Sequence, residues 1–117
     1  MIFVSKNEDG ELAWHLIMVG RKTVTRRLKT VDVGKIVAVC PGRGKKAIVH
    51  IKILDCRPHK VWYRRTIENA PLGENQLRLQ AEAEKEGFGS WMGLCDWLIG
   101  HGVDLFKTYR IEFKLIR

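Results

Sequence analysis

The sequence predicts an α+β domain built on a small barrel or curled sheet of about five to six strands, with two to three helices beside it. Three observations lead there. Segments with period-two alternation occur in both halves of the chain, and other segments repeat apolar residues at helical spacing. No regular strand–helix–strand repeat connects them, which argues against a doubly wound parallel sheet. A length of 117 residues fits one hydrophobic core, so a single domain over residues 1–117 is expected.

Residues 1–4 can form a short strand. Asp9 is expected to cap a helix in which Leu12, His15, Leu16 and Val19 recur at helical spacing before Gly20 stops it. Thr23 to Leu28 is rich in β-branched residues, and Lys35 to Cys40 is an apolar strand ending at the turn Pro41-Gly42-Arg43-Gly44. In Ala47 to Leu54, Ile48, His50 and Lys52 alternate with Val49, Ile51 and Ile53, which suggests a hairpin with the preceding strand. Asn75 to Glu86 reads as a helix, and Ser90 caps another running to about Ile99. In the closing strand, Tyr109 to Ile116, the residues Tyr109, Ile111, Phe113 and Leu115 share a face. Trp14, Trp91 and Trp97 fall within helix patterns and are expected to pack against the sheet.

Several function classes find no support. No apolar run approaches the roughly 20 residues that span a bilayer, and the Met-Ile-Phe-Val-Ser-Lys start lacks the features of an export leader, so a cytoplasmic protein is expected. Cys40, Cys56 and Cys95 are too widely spaced for a C-x-x-C site and odd in number for a disulfide framework, so they read as reduced thiols. His15, His50, His59 and His101 show no metal-ligand spacing; no metal and no cofactor are expected. Pro41-Gly42-Arg43-Gly44-Lys45-Lys46 lacks the following helix and hydroxyl of a P-loop and reads as a basic hairpin turn, placed to touch a backbone phosphate.

The net charge of +8 is unevenly distributed: residues 1–65 carry 15 Lys and Arg against 5 Asp and Glu, whereas the remainder carries 6 against 8. A positive face of this kind attracts phosphate-bearing polymers, which makes RNA or DNA the expected partner. Trp62-Tyr63-Arg64-Arg65 sets two aromatics beside two arginines, a composition suited to stacking unpaired bases at the rim of a cleft. A monomer is favoured.

The most informative stretch is Gly20-Arg21-Lys22-Thr23-Val24-Thr25-Arg26-Arg27. Within a strand Thr23, Thr25 and Arg27 point one way and Val24 and Arg26 the other, so Lys22 meets Thr25 only if Lys22 sits in the turn from helix to strand. A glycine at the start of that turn permits it. Periodicity leaves PUA-like and OB-like barrels equally open.

Gly20, Lys22 and Arg27 resemble the Gly-x-Lys-x-x-x-x-Arg signature of the ASCH family, and three further blocks follow in family order. Val33-Gly34-Lys35 is similar to its Val-Gly-Asp segment, with Lys where the family usually has Asp. Ala83-Glu84-Lys85-Glu86-Gly87-Phe88 is similar to its Ala-x-x-Glu-Gly-Phe segment, and Tyr109-Arg110-Ile111-Glu112-Phe113 to its closing strand. The resemblance implies a PUA-like β-barrel and a role on RNA or modified nucleosides. Some members are amidohydrolases that deacetylate N4-acetylcytidine, and others are associated with RNA cleavage. In the first branch the catalytic set is a Lys, a Thr three residues later and a Glu before Gly-Phe, which implies Lys22, Thr25 and Glu86 here. Thr25 would attack the acetyl carbonyl, and Glu86 would protonate the departing amine. Lys22, desolvated and crowded by Arg21, Arg26 and Arg27, would be the base.

Two roles follow as expectations: an enzyme, either an amidohydrolase or a ribonuclease, and a non-catalytic RNA-binding module using the same cleft. In both, Arg21, Arg26, Arg27, Arg43, Lys45, Lys46, Trp62, Tyr63, Arg64 and Arg65 are the expected nucleic-acid contacts.

Overall fold

The computed structural model describes residues 1–116. In chain order the elements are α1 (Ala13–Met18), β1 (Val24–Arg27), β2 (Ile36–Val39), β3 (Val49–Pro58) and α2 (His59–Tyr63), which runs on into a wide π turn (Arg64–Glu68). Then come α3 (Asn75–Lys85), α4 (Trp91–Gly100), a single 3-10 turn (Leu105–Lys107) and β4 (Tyr109–Leu115). The strands form one antiparallel sheet in the order β1-β4-β3-β2. This is an α+β fold. The sheet is open, with β1 and β2 as its two edges.

Four strands stand where five to six were expected, because the N-terminal segment pairs only briefly. Ile2 makes a single parallel bridge to Cys40, after which the chain folds on itself through a Lys6–Leu12 bridge. Asp9 does not cap α1, as the sequence had suggested. Leu12 occupies the cap position without a side-chain bond. Asn7 organises this turn instead, its Oδ1 accepting from the backbone N–H groups of Asp9 (3.0 Å) and Glu11 (2.9 Å).

The β2–β3 hairpin pairs Ile36 with Lys52 and Val39 with Val49, and the alternation in β3 sorts as its pattern requires. Val49, Ile51 and Ile53 are buried, while His50, Lys52 and Leu54 are exposed. They join Val39, Ile111 and Phe113 from the sheet and Phe3, Ala13 and Ile17 from the N-terminal segment and α1 in one apolar core. Trp14, Tyr109 and Leu115 pack on its margin. Beyond a bulge between Ile53 and Asp55, β3 continues beside β4 to Pro58. The opposite face of β1 and β4 carries Arg26 and Arg110, which are cross-strand partners. That face is covered by α2 and α3.

Candidate functional site

The site begins where β1 starts and α3 ends. Gly20, at φ 78°, terminates α1, and the N–H groups of Arg21 and Lys22 both return to the Leu16 carbonyl. Lys22 therefore lies in the helix-to-strand turn. The Thr23 N–H then donates to the Lys85 carbonyl at 2.8 Å, fastening the start of β1 to the last turn of α3. Gly87, at φ 87°, reverses the chain there. That left-handed conformation favours glycine, and a Cβ there would also have to displace Leu16 Cδ1, 2.9 Å away. Residues 22, 25 and 86 are thus brought to one place.

A cleft of about 370 Å³ opens at this junction, and Lys22, Thr25 and Glu86 all line it, together with Arg26, Arg27, Phe88, Trp97 and His101. Lys22 is 7% exposed. Its Nζ donates to the carbonyls of Val24 and Glu86, each at 2.8 Å. Burial pushes its pKa down to about 8; Glu86 opposes the shift, and Arg27 and Arg26 add to it. The direction is the one expected from the sequence, but desolvation dominates rather than crowding by arginines. Arg21 is turned away and paired with Glu11 at 2.8 Å.

Glu86 is buried, and both its carboxylate oxygens lie 3.1 Å from Arg26 Nε. Burial raises its pKa against the opposing pull of Arg26 and Lys22. Behind it lies an ionic lattice that the sequence pattern did not reveal. Glu82 accepts from Arg26 Nη2 at 2.9 Å and from Arg110 Nε and Nη2 at 2.5 and 2.9 Å. Two cations facing each other across adjacent strands would repel, and the carboxylate between them cancels that repulsion. Arg26 Nη1 also meets His59 Nδ1 at 2.9 Å. Because guanidinium only donates, that nitrogen is the acceptor and His59 is neutral. Burial, then Arg26, lowers the His59 pKa to about 4.

This lattice places Arg26 and Trp62 differently from the sequence-based expectation. The Arg26 side chain is 2% exposed and fully engaged, so it presents no guanidinium to a phosphate. Trp62 is 6% exposed and lies beneath two guanidinium groups, Arg26 at 4.9 Å and Arg110 at 5.6 Å from its ring centroid. It belongs to the interior rather than to a cleft rim. Tyr63 is half-buried against His59 and Phe106. Arg64 and Arg65 on the π turn, and Arg43, Lys45 and Lys46 on the β2–β3 turn, are exposed but do not line the cleft. Of the expected polymer contacts only Arg26 and Arg27 border it.

Trp97, expected only as a packing residue, is a cleft wall. It is half-buried, stacked on His101 at 3.9 Å between centroids and edge-on to Phe88 at 6.1 Å. The His101 Nδ1 donates to the Trp97 carbonyl at 2.8 Å, as a carbonyl can only accept. The i to i+4 spacing of Trp97 and His101 on a helix is the signal that could have found this platform. Cys40, Cys56 and Cys95 are free thiols. Among the described residues no helix is long and apolar enough to cross a membrane.

No family model, no curated protein and no solved structure matches this chain.

Proposed function

We propose that the cleft is the active site of an ASCH-type amidohydrolase that removes the acetyl group from N4-acetylcytidine or the same unit within RNA. The observation that carries this reading is the convergence of Lys22, Thr25 and Glu86 on one cleft, with a lysine whose pKa is about 8. A neutral amine has two N–H bonds and one lone pair. With both hydrogens given to the Val24 and Glu86 carbonyls, the lone pair is left to accept the Thr25 proton. Thr25 Oγ1 then attacks the acetyl carbonyl. As the C–N bond breaks, Glu86, whose burial favours the protonated acid, gives its proton to the departing cytosine nitrogen. Water attacks the resulting acetyl-threonine ester, losing a proton to Glu86, and Lys22 returns its proton to the threonine oxygen. The products are cytidine and acetic acid, with every group restored. The PUA-like barrel of that family belongs to the same reading, with the antiparallel sheet and the Ile2–Cys40 bridge as its supporting features.

Incubation of the purified chain with N4-acetylcytidine should release cytidine and acetate. Thr25→Ala, Lys22→Ala and Glu86→Gln should each lower the rate by about 100-fold or more while the proteins stay folded, because the three act as one unit. Absence of turnover by the parent would favour the second reading, an RNA-binding module without catalysis. That reading draws on the exposed cations Arg43, Lys45, Lys46, Arg64 and Arg65.

A further inference from the structure

The arginines near the cleft differ in how their charge is compensated. Arg26 and Arg110 share Glu82, and each has a second carboxylate, Glu86 and Glu112 respectively. Arg27 has none among the described residues. Its Nη2 donates to the Ile2 carbonyl at 2.8 Å, and its guanidinium carbon lies 4.7 Å from the centroid of Phe3. Its Nε is buried without a partner. Burial correspondingly lowers its pKa, as expected of a cation partly removed from water with no counter-ion. A half-buried, uncompensated guanidinium at a cleft is costly to keep and is suited to an anionic ligand group, above all a phosphate.

Arg27 also stands at a boundary. A second hollow of about 390 Å³ adjoins the cleft and shares Arg26, Arg27, Trp97 and Leu98 with it. Beyond this shared ridge it is walled by Leu28, Lys29, Val103 and Thr108. Each hollow is at the small end of the roughly 300–1,000 Å³ range of small-ligand sites, enough for a single ring system. No carboxylate lines the second hollow, and of its three cations Arg26 is paired with Glu82 and Glu86, whereas Arg27 and Lys29 carry no ion pair among the described residues. Trp97 borders both hollows and is held by His101 and Phe88, so little side-chain freedom is lost when a base packs on it.

We infer that the two hollows take two consecutive nucleotides of a single strand, with the connecting phosphodiester on Arg27 and the second base in the Leu28–Val103 hollow against Trp97. The inference rests on the reading of the first hollow as a nucleoside site, and makes an oligonucleotide a tighter-binding substrate than the free nucleoside. The apolar wall recognises the flat face of any base, so no sequence preference is expected at the second position.

The test measures the affinity of the intact chain for cytidine, cytidine 5′- and 3′-monophosphate and the dinucleotide cytidylyl-uridine by titration calorimetry. The dinucleotide should bind about tenfold or more tighter than either monophosphate, the gain of one stacked base. Leu28→Glu, at a position already 63% exposed, should bring that ratio close to one by placing a carboxylate beside the phosphate. Equal affinity for the dinucleotide and a monophosphate would overturn the second subsite, as would a ratio unchanged by Leu28→Glu. Turnover of N4-acetylcytidine is measured separately. A chain that hydrolyses the nucleoside but shows no dinucleotide advantage contradicts only the second subsite. One that keeps the advantage without turnover supports the subsite and contradicts only the amidohydrolase reading.

Discussion

Lys22 shows how a residue acquires chemistry from its surroundings. An exposed lysine holds its proton until about pH 10.4, whereas this one, walled in at the head of β1, loses it near 8. The mechanism needs Lys22 neutral and Glu86 protonated together, so the rate should pass through a maximum with pH, declining on the acid side as Lys22 takes up a proton and on the alkaline side as Glu86 loses its own. Initial rates of N4-acetylcytidine hydrolysis across this range check the expectation, and a flat profile would show that Lys22 is not the base. Its position in the turn was legible because Gly20 ends the helix and the pairing phase of β1 excludes Lys22 from facing Thr25 within the strand. The fate of Arg26 was not. An arginine in an exposed-looking basic run reads as a surface cation, and its partners Glu82 and Glu86 lie 56 and 60 residues away.

Among the elements, α3 depends most on charge for its placement. Only Glu82 and Ala83 of this helix are buried, so the apolar area docking it is small. The ion pairs from Glu82 to β1 and β4 do much of that work. Glu82→Gln leaves Arg110 with only Glu112 at 3.6 Å and should destabilise the chain by about 3–5 kcal/mol, read from denaturant unfolding. A loss under about 1 kcal/mol, the value of a surface pair, would refute this role of charge in docking α3. The helices and strands with clean periodicity were legible to within a few residues, as Asn75–Lys85 and Tyr109–Leu115 show. The second half of β3 and the helical segment His59–Glu68 were not. The bulge after Ile53 breaks the alternation, and Pro58 closes the strand as it begins the helix. The order β1-β4-β3-β2 follows from long-range pairing, which no local pattern records.

At the scale of the whole molecule, the excess charge of the first 65 residues is partly consumed internally and partly displayed. Arg21, Arg26 and Arg57 are paired, whereas Arg43, Lys45 and Lys46 crown an exposed turn. Single-stranded RNA affinity should therefore fall steeply with salt. Replacing those three turn residues by Ala should flatten the dependence of log affinity on log salt by about 0.7 for each phosphate that is no longer neutralised. Affinity that does not respond to salt would exclude the polymer as a partner of this face. Whether the cleft hydrolyses an amide through Lys22 is decided by comparing the parent with Lys22→Arg for turnover of N4-acetylcytidine. Arginine keeps the positive charge and cannot surrender a proton near neutral pH. The folded variant should lose hydrolysis while retaining RNA binding; hydrolysis by Lys22→Arg at the parental rate would show that Lys22 is not the base and that the proposed mechanism is wrong.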